Sequence, residues 1–268
     1  MKGAAGWAPV SNRLRHLLET REFAVAVFVT LADPGIVEIA ALAGFDLVVV
    51  ELEHAGLGLE SLQNHLRAAA ARGIGTLVRV PSHDPKLMLR VLDCGADGIL
   101  VPHVEDRAQA RALVDAVRYP PAGHRGLSGT ARSAHYGAHG MGSVRELTEQ
   151  LNVGTVLAVM IEDQKGAEAI DEILSVGGLD IVHVGPSDLS ASMNLIGSRD
   201  DPRLVAAIDK VMKACHRVGV KLGMPVGHGA YPRSAQSLRG GGAWLLTCGA
   251  DASYLLAGFK AAAEEANA

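Results

Sequence analysis

Aromatic residues make up only 4% of this 268-residue sequence, and there are three cysteines. Any core must therefore be built from aliphatic side chains. Cys94, Cys215 and Cys248 are odd in number, scattered and without CxxC spacing, which excludes a disulfide framework or a cysteine zinc site and leaves them as small buried hydrophobes. No basic run exists, and 25 basic against 29 acidic residues give a net charge of −4, so a nucleic-acid partner has no electrostatic footprint. The longest apolar run, near residues 24–32, is too short to span a bilayer, and residues 1–11 lack the apolar core of a signal peptide. The expectation is a cytoplasmic chain with no membrane partner. No GxGxxG follows the first apolar run, which weighs against a dinucleotide site.

What is present is a regular alternation. With 49% hydrophobic residues and a mean hydropathy of +0.20, the chain can bury a large core. Apolar, β-branched runs at residues 24–30, 47–53, 75–81, 98–104, 155–161, 180–184, 220–226 and 243–248 read as eight strands. Amphipathic helices follow most of them, at about 59–72, 84–94, 106–117, 165–176, 202–218 and 251–265. That count and length fit one α/β domain, a (β/α)8 TIM barrel over residues 1–268, with an N-terminal extension of about 1–22 and a C-terminal helix of about 251–265. A doubly wound open sheet is the structural alternative. One long insertion, residues 119–142, lies between the fourth helix and the fifth strand. It begins on the lower face, with Arg125 and Arg132 balanced between surface charges and functional groups.

A barrel does its chemistry at the C-terminal ends of its strands. Glu51, Glu53 and His54 end the second strand, Arg79 the third, Val101-Pro102-His103 the fourth, and Glu162 the fifth, while Asp188 follows the sixth. Taken singly, each has a bland reading as a solvated strand end, a surface histidine or an ion-pair partner. Two carboxylates without cysteine favour a hard oxygen-preferring ion, Mg²⁺ or Mn²⁺, with Co²⁺ also admissible, and such an ion keeps waters that a 2-oxo acid replaces. Gly185-Pro186-Ser187-Asp188 adds backbone N–H groups for a carboxylate. Arg79 supplies fixed positive charge, and His54 can move a proton. Lys221 sits at the entry of its strand, Lys165 in a loop, and Lys86, Lys210, Lys213 and Lys260 on helices. None is placed for a Schiff base, so a metal enolate is favoured.

These residues bring a family with them. Asp33-Pro34, Gly44-Phe45-Asp46, Glu53-His54, residues 77–81, Arg118-Tyr119-Pro120-Pro121-Ala122-Gly123 with Arg125-Gly126, Ile161-Glu162 and residues 185–190 together resemble the metal-dependent, class II pyruvate aldolases of the HpcH/HpaI type. The resemblance runs from about residue 23 to 256. It implies a barrel that cleaves or forms a 4-hydroxy-2-oxo acid, giving pyruvate and an aldehyde, and that assembles as a homo-oligomer, a hexamer built of dimers exchanging their last helix. It also implies Glu162 and Asp188 as metal ligands, His54 as base, Arg79 as stabiliser of the transition state, and Ser187 and Asp188 backbone groups as carboxylate donors. An aspartate at the position of Asp93 would support the histidine, although strand order puts Asp93 before the fourth strand, on the opposite face.

Two positions depart from the pattern, for the family usually carries aspartate where Glu51 stands and glutamine where Met160 stands. Glu51 keeps the charge and can still partner a histidine. Methionine cannot replace the hydrogen bonds of a glutamine amide to substrate. Decarboxylation of a 2-oxo diacid through the same metal enolate therefore stays open, as does a non-catalytic barrel that binds metal and oxo acid. Gly227-His228-Gly229 reads either as a phosphate loop or, lacking nearby cations, as a mobile lid.

Overall fold

The computed structural model describes residues 12–138 and 144–268, so the readings of residues 1–11 and of 139–143 within the insertion lie outside the described residues. Eight parallel strands, β1 (Ala24–Val29), β2 (Leu47–Glu51), β3 (Gly75–Arg79), β4 (Gly98–Val101), β5 (Val156–Ile161), β6 (Ile181–Val184), β7 (Lys221–Pro225) and β8 (Ala243–Ala250), close in sequence order with β8 pairing β1. Closure makes this a (β/α)8 barrel and removes the open sheet from consideration.

The helices are α1 (Arg13–Thr20), α2 (Gly35–Leu42), α3 (Leu59–Arg72), α4 (Pro85–Asp93), α5 (Arg107–Val117), α6 (Val144–Gly154), α7 (Gln164–Glu168), α8 (Ile170–Leu174), α9 (Pro186–Ser192), α10 (Pro202–Val218), α11 (Ala235–Gly240) and α12 (Asp251–Ala266). Their ends follow sequence chemistry. Asp84 and Asp201 each cap a helix whose first residue is proline, by accepting the N–H groups of Lys86 and Arg203. Gly219 ends α10 at φ 77, a left-handed conformation that a side chain would strain. The single helix expected at 165–176 is instead two short ones, α7 and α8, broken at Ala169.

Alternation along each strand divides the core in two. Val27, Val29, Val48, Val50, Val78 and Ile99 point outward beneath the helices. Ala26, Leu47, Val49, Leu77, Leu100, Ala158, Met160 and Leu245 fill the barrel. The small inner aliphatics explain how so few aromatics suffice, since a barrel interior is filled in layers by alternate strands.

The lower end is sealed by α1. Leu14, Leu17 and Leu18 join the inner cluster, while Asn12 Nδ2 donates to the Asp97 carbonyl and Arg15 pairs with Asp180 at 2.7 Å. Those partners immediately precede β4 and β6, which places α1 across the strands' N-terminal ends. The fold also reveals a repeat. Asp46, Asp97 and Asp180, one residue before β2, β4 and β6, accept the backbone N–H groups of Val25, Thr76 and Leu157 at 2.8–2.9 Å. Among the described residues no helix is long and apolar enough to cross a membrane.

Candidate active site

At the upper end, β2 and β3 run in register with Glu51 opposite Arg79. Both point into the barrel, and Glu51 is only 1% exposed. Its Oε2 accepts from Arg79 Nε at 2.6 Å, and its Oε1 accepts from the backbone N–H groups of Glu53 and His54 at 2.7 and 3.0 Å. One carboxylate thus anchors the arginine and shapes the loop that carries the histidine. This revises the expected partnership. Glu51 holds the backbone of His54, whereas the imidazole Nε2 stands 3.6 Å from Glu53 Oε2. Arg79 also lies over the Phe28 ring and reaches the Met160 thioether, at 3.8 Å from Nη1 to Sδ.

Glu162, just beyond β5, is 1% exposed. Its Oε1 accepts from the His103 N–H at 2.9 Å, and its Oε2 is buried without a hydrogen-bond partner. Burial pushes its pKa up to about 7. The charges of Asp188 and Glu53 push the same way, and the His103 N–H and ring pull it down. Gly185 leaves the room this oxygen needs, because a Cβ there would lie 2.5 Å from Glu162 Oε2. A buried unpaired carboxylate oxygen, with a second carboxylate close enough to perturb it, suits a hard cation. Among the described residues no three His, Cys, Asp or Glu side chains gather in metal-holding geometry. Glu162 and Asp188 are the two carboxylates at this mouth that could contribute to holding such an ion.

Three histidines at this mouth were given no chemical role from the sequence. His103 sits in the left-handed region at φ 51, with Nδ1 2.8 Å from Asp163 Oδ2. Burial would lower its basicity, but the bond to Asp163 and the charges of Glu162, Asp163 and Glu53 outweigh that and raise it. His183, opposite Met160 in register, lies inside the barrel with Nε2 3.1 Å from Thr247 Oγ1. Burial, then the charge of Arg79, depresses it to about 3, so it is a neutral imidazole. Gly223 makes space for its ring, as a Cβ there would meet His183 Cδ2 at 2.6 Å. His228 Nε2 meets Ser187 Oγ at 2.8 Å, in a loop tied at Gly227 to Arg233 and at Ala230 to Asp200. Strand-end counting finds His103 by position and the glycine pair marks His228; the place of His183 and the partner of His228 become visible only once the strands are closed.

Ser187 and Asp188 lie in the first turn of α9, behind Pro186 and the Gly185 cap, at the same mouth as Met160. Asp93 is not brought there. It ends α4, which returns the chain to the lower face, and its Oδ1 takes Arg125 Nη2 at 2.9 Å. Within one chain Asp93 supports Arg125 and not His54. Arg125 is no surface charge, since its side chain is buried over the Tyr119 ring. Lys165 is an exposed partner of Glu105.

Fold and site together define a barrel enzyme that gathers carboxylates, an arginine and histidines at the C-terminal ends of its strands. The sequence profile of the family described as HpcH/HpaI aldolase/citrate lyase matches residues 24–255, and the chain belongs to that family. It is 39% identical over 208 residues to a hydroxypyruvate/pyruvate aldolase of Pseudomonas aeruginosa, covering 77% of this chain and 75% of the relative. A hydroxypyruvate/pyruvate aldolase of Deinococcus radiodurans is 35% identical over 248 residues, covering 92% and 87%. The solved structure of a family member from Burkholderia cenocepacia superposes with a TM-score of 0.86 at 29% identity, covering 96% of this chain and all of that one.

Proposed function

We propose that the mouth of the barrel binds a 2-oxo acid and makes or breaks its carbon–carbon bond to an aldehyde. The chain is a carbon–carbon lyase of the aldolase type, and its relatives named hydroxypyruvate/pyruvate aldolases support pyruvate or hydroxypyruvate as the nucleophile. The observation that carries this reading is Glu162 Oε2, buried, unpaired and given room by Gly185. Glu162 and Asp188 would hold a divalent cation, Mg²⁺ or Mn²⁺, which when bound polarises the oxo group and neutralises charge developing on its oxygen.

The chain's own groups do the rest. Backbone N–H groups of Ser187 and Asp188 receive the carboxylate. Arg79, fixed by Glu51, faces the oxo group from β3 and lends positive charge without having to reorganise. His54, exposed at the rim beside Glu53, exchanges the proton at C3 of the oxo acid through Nε2. Tyr254, Leu256 and Phe259, exposed on α12, support a homo-oligomer in which this helix packs on another copy.

Met160 favours one second reading. Its thioether stands against Arg79 and offers no strong hydrogen bond to substrate, so decarboxylation of a 2-oxo diacid by the same groups is the alternative. The test is incubation with pyruvate and Mg²⁺ or Mn²⁺ in D₂O, following the methyl proton signal. Exchange that stops with chelator and with Arg79→Ala supports the aldolase. No exchange with either metal, together with CO₂ release from oxaloacetate, supports the second reading.

A further inference from the structure

We infer that Ser187 and His228 form a polar relay in which His228 turns the Ser187 hydroxyl into a dedicated donor to a carboxylate oxygen of the bound 2-oxo acid. The inference rests on the site proposed above and adds a side-chain subsite to it. The Ala230 N–H donates to His228 Nδ1 at 3.2 Å, so Nδ1 is the unprotonated nitrogen. Nε2 then carries the proton, and at 2.8 Å it donates to Ser187 Oγ. A serine hydroxyl has one proton and two acceptor sites. With one acceptor site taken by Nε2–H, Ser187 is left to give its proton away.

The remainder of the loop fixes this polarity. Gly227, at φ 64, makes the turn, and its N–H donates to the Arg233 carbonyl at 2.9 Å. The Tyr231 N–H donates to the His228 carbonyl at 3.0 Å, and the Asp200 N–H donates to the Ala230 carbonyl at 3.0 Å. Arg233 pairs with Asp200 at 2.7 Å over the Tyr231 ring, so the loop is held at its base as well as at its tip. Burial lowers the basicity of His228 and the charge of Asp188 opposes that. Ser187 itself is exposed, immediately before Asp188 in the chain, so its hydroxyl is open to a ligand from solvent. An anionic oxygen is the natural acceptor for such a donor, and a hydrogen bond to a charged group is worth more than one between neutral groups. His228 is a positioning residue here, because it acts through Ser187.

The test compares wild type with Ser187→Ala, His228→Ala, the double variant and His228→Gln. It uses calorimetric binding of pyruvate in the presence of Mn²⁺ and the KM and kcat of proton exchange. Each single variant is expected to raise the pyruvate Kd and KM about tenfold with kcat within about twofold. The double variant should be no worse than either single one, since two residues acting through one hydrogen bond are not additive. His228→Gln, which keeps an N–H donor, should recover to within about threefold of wild type. In the metal-free protein, ¹⁵N spectra of the imidazole should show the Nε2–H form. Unchanged Kd in Ser187→Ala, additive losses in the double variant, or an Nδ1–H imidazole would each overturn the relay while leaving the aldolase reading intact. Failure of wild type to bind pyruvate at all would overturn both.

Discussion

Arg79 and Glu51 are register partners on adjacent strands, and the guanidinium Nε lies 2.6 Å from a carboxylate that is 1% exposed. A buried ion pair adds little to stability as a pair, but removing one member leaves an uncompensated charge. Because Glu51 also accepts the N–H groups of Glu53 and His54, its loss affects arginine and histidine together. Glu51→Ala is expected to cost about 3–5 kcal/mol in chemical denaturation. Arg79→Ala should slow proton exchange at least about 100-fold, the scale of removing one preorganised donor. Glu51→Gln, which keeps an acceptor for the two N–H groups, should hold the fold more closely than Glu51→Ala does.

Gly185 sets a steric test of the cation site. A Cβ at this position falls 2.5 Å from Glu162 Oε2 and 2.8 Å from Glu162 Cβ. Gly185→Ala should therefore displace the carboxylate and weaken Mn²⁺ binding at least about tenfold, as loss of ligand support commonly does. Electron paramagnetic titration of free Mn²⁺ reads this without catalysis. An affinity equal to wild type would place the cation elsewhere.

The acidity of Glu162 gives a pH dependence whose sign differs with and without metal. Its folded value of about 7 stands above the model-compound 4.5, so the folded metal-free protein binds a proton that the unfolded chain releases. Its contribution to stability is present at low pH and declines as pH rises from about 4.5 through 7. A cation needs the deprotonated carboxylate and must displace that proton. The rise in melting temperature produced by Mg²⁺ or Mn²⁺ is expected to be largest at pH 8 and to shrink as pH falls below about 7. Melting curves at pH 5.5, 7 and 8, with chelator and with metal, check both signs.

Met160→Gln tests the departure on β5. Met160 is 3% exposed with its sulfur 3.8 Å from Arg79 Nη1, so a glutamine amide oxygen at the same reach accepts from that guanidinium. A bonded buried amide gains about 1 kcal/mol net, whereas an unbonded one costs about 1–3 kcal/mol. The expected outcome is a fold stable to within about 1.5 kcal/mol and a pyruvate KM lowered about fivefold. Lower stability with unchanged KM would mean that the amide finds no partner.

The sequence by itself determined the barrel and most of its mouth. Eight β-branched runs separated by capped, amphipathic helices leave few topologies, and period-two alternation assigns each strand residue to the interior or to the helices. The place of Glu51, His54, Arg79, Glu162 and Asp188 at the mouth was legible because each ends or follows a strand, which is a position in the chain as much as in space.

Only the tertiary structure decided which groups touch. It gave Glu51 to Arg79 and the backbone of His54, gave the imidazole to Glu53, and took Asp93 away to Arg125 on the lower face. It brought His228 to Ser187 across 41 residues and His183 to Thr247 across 64, partnerships that no local pattern encodes. The physical reason is one of range. Periodicity and capping act within a few residues, whereas the pairing of polar groups at the mouth depends on closure of the barrel and on the register it imposes between strands far apart in sequence.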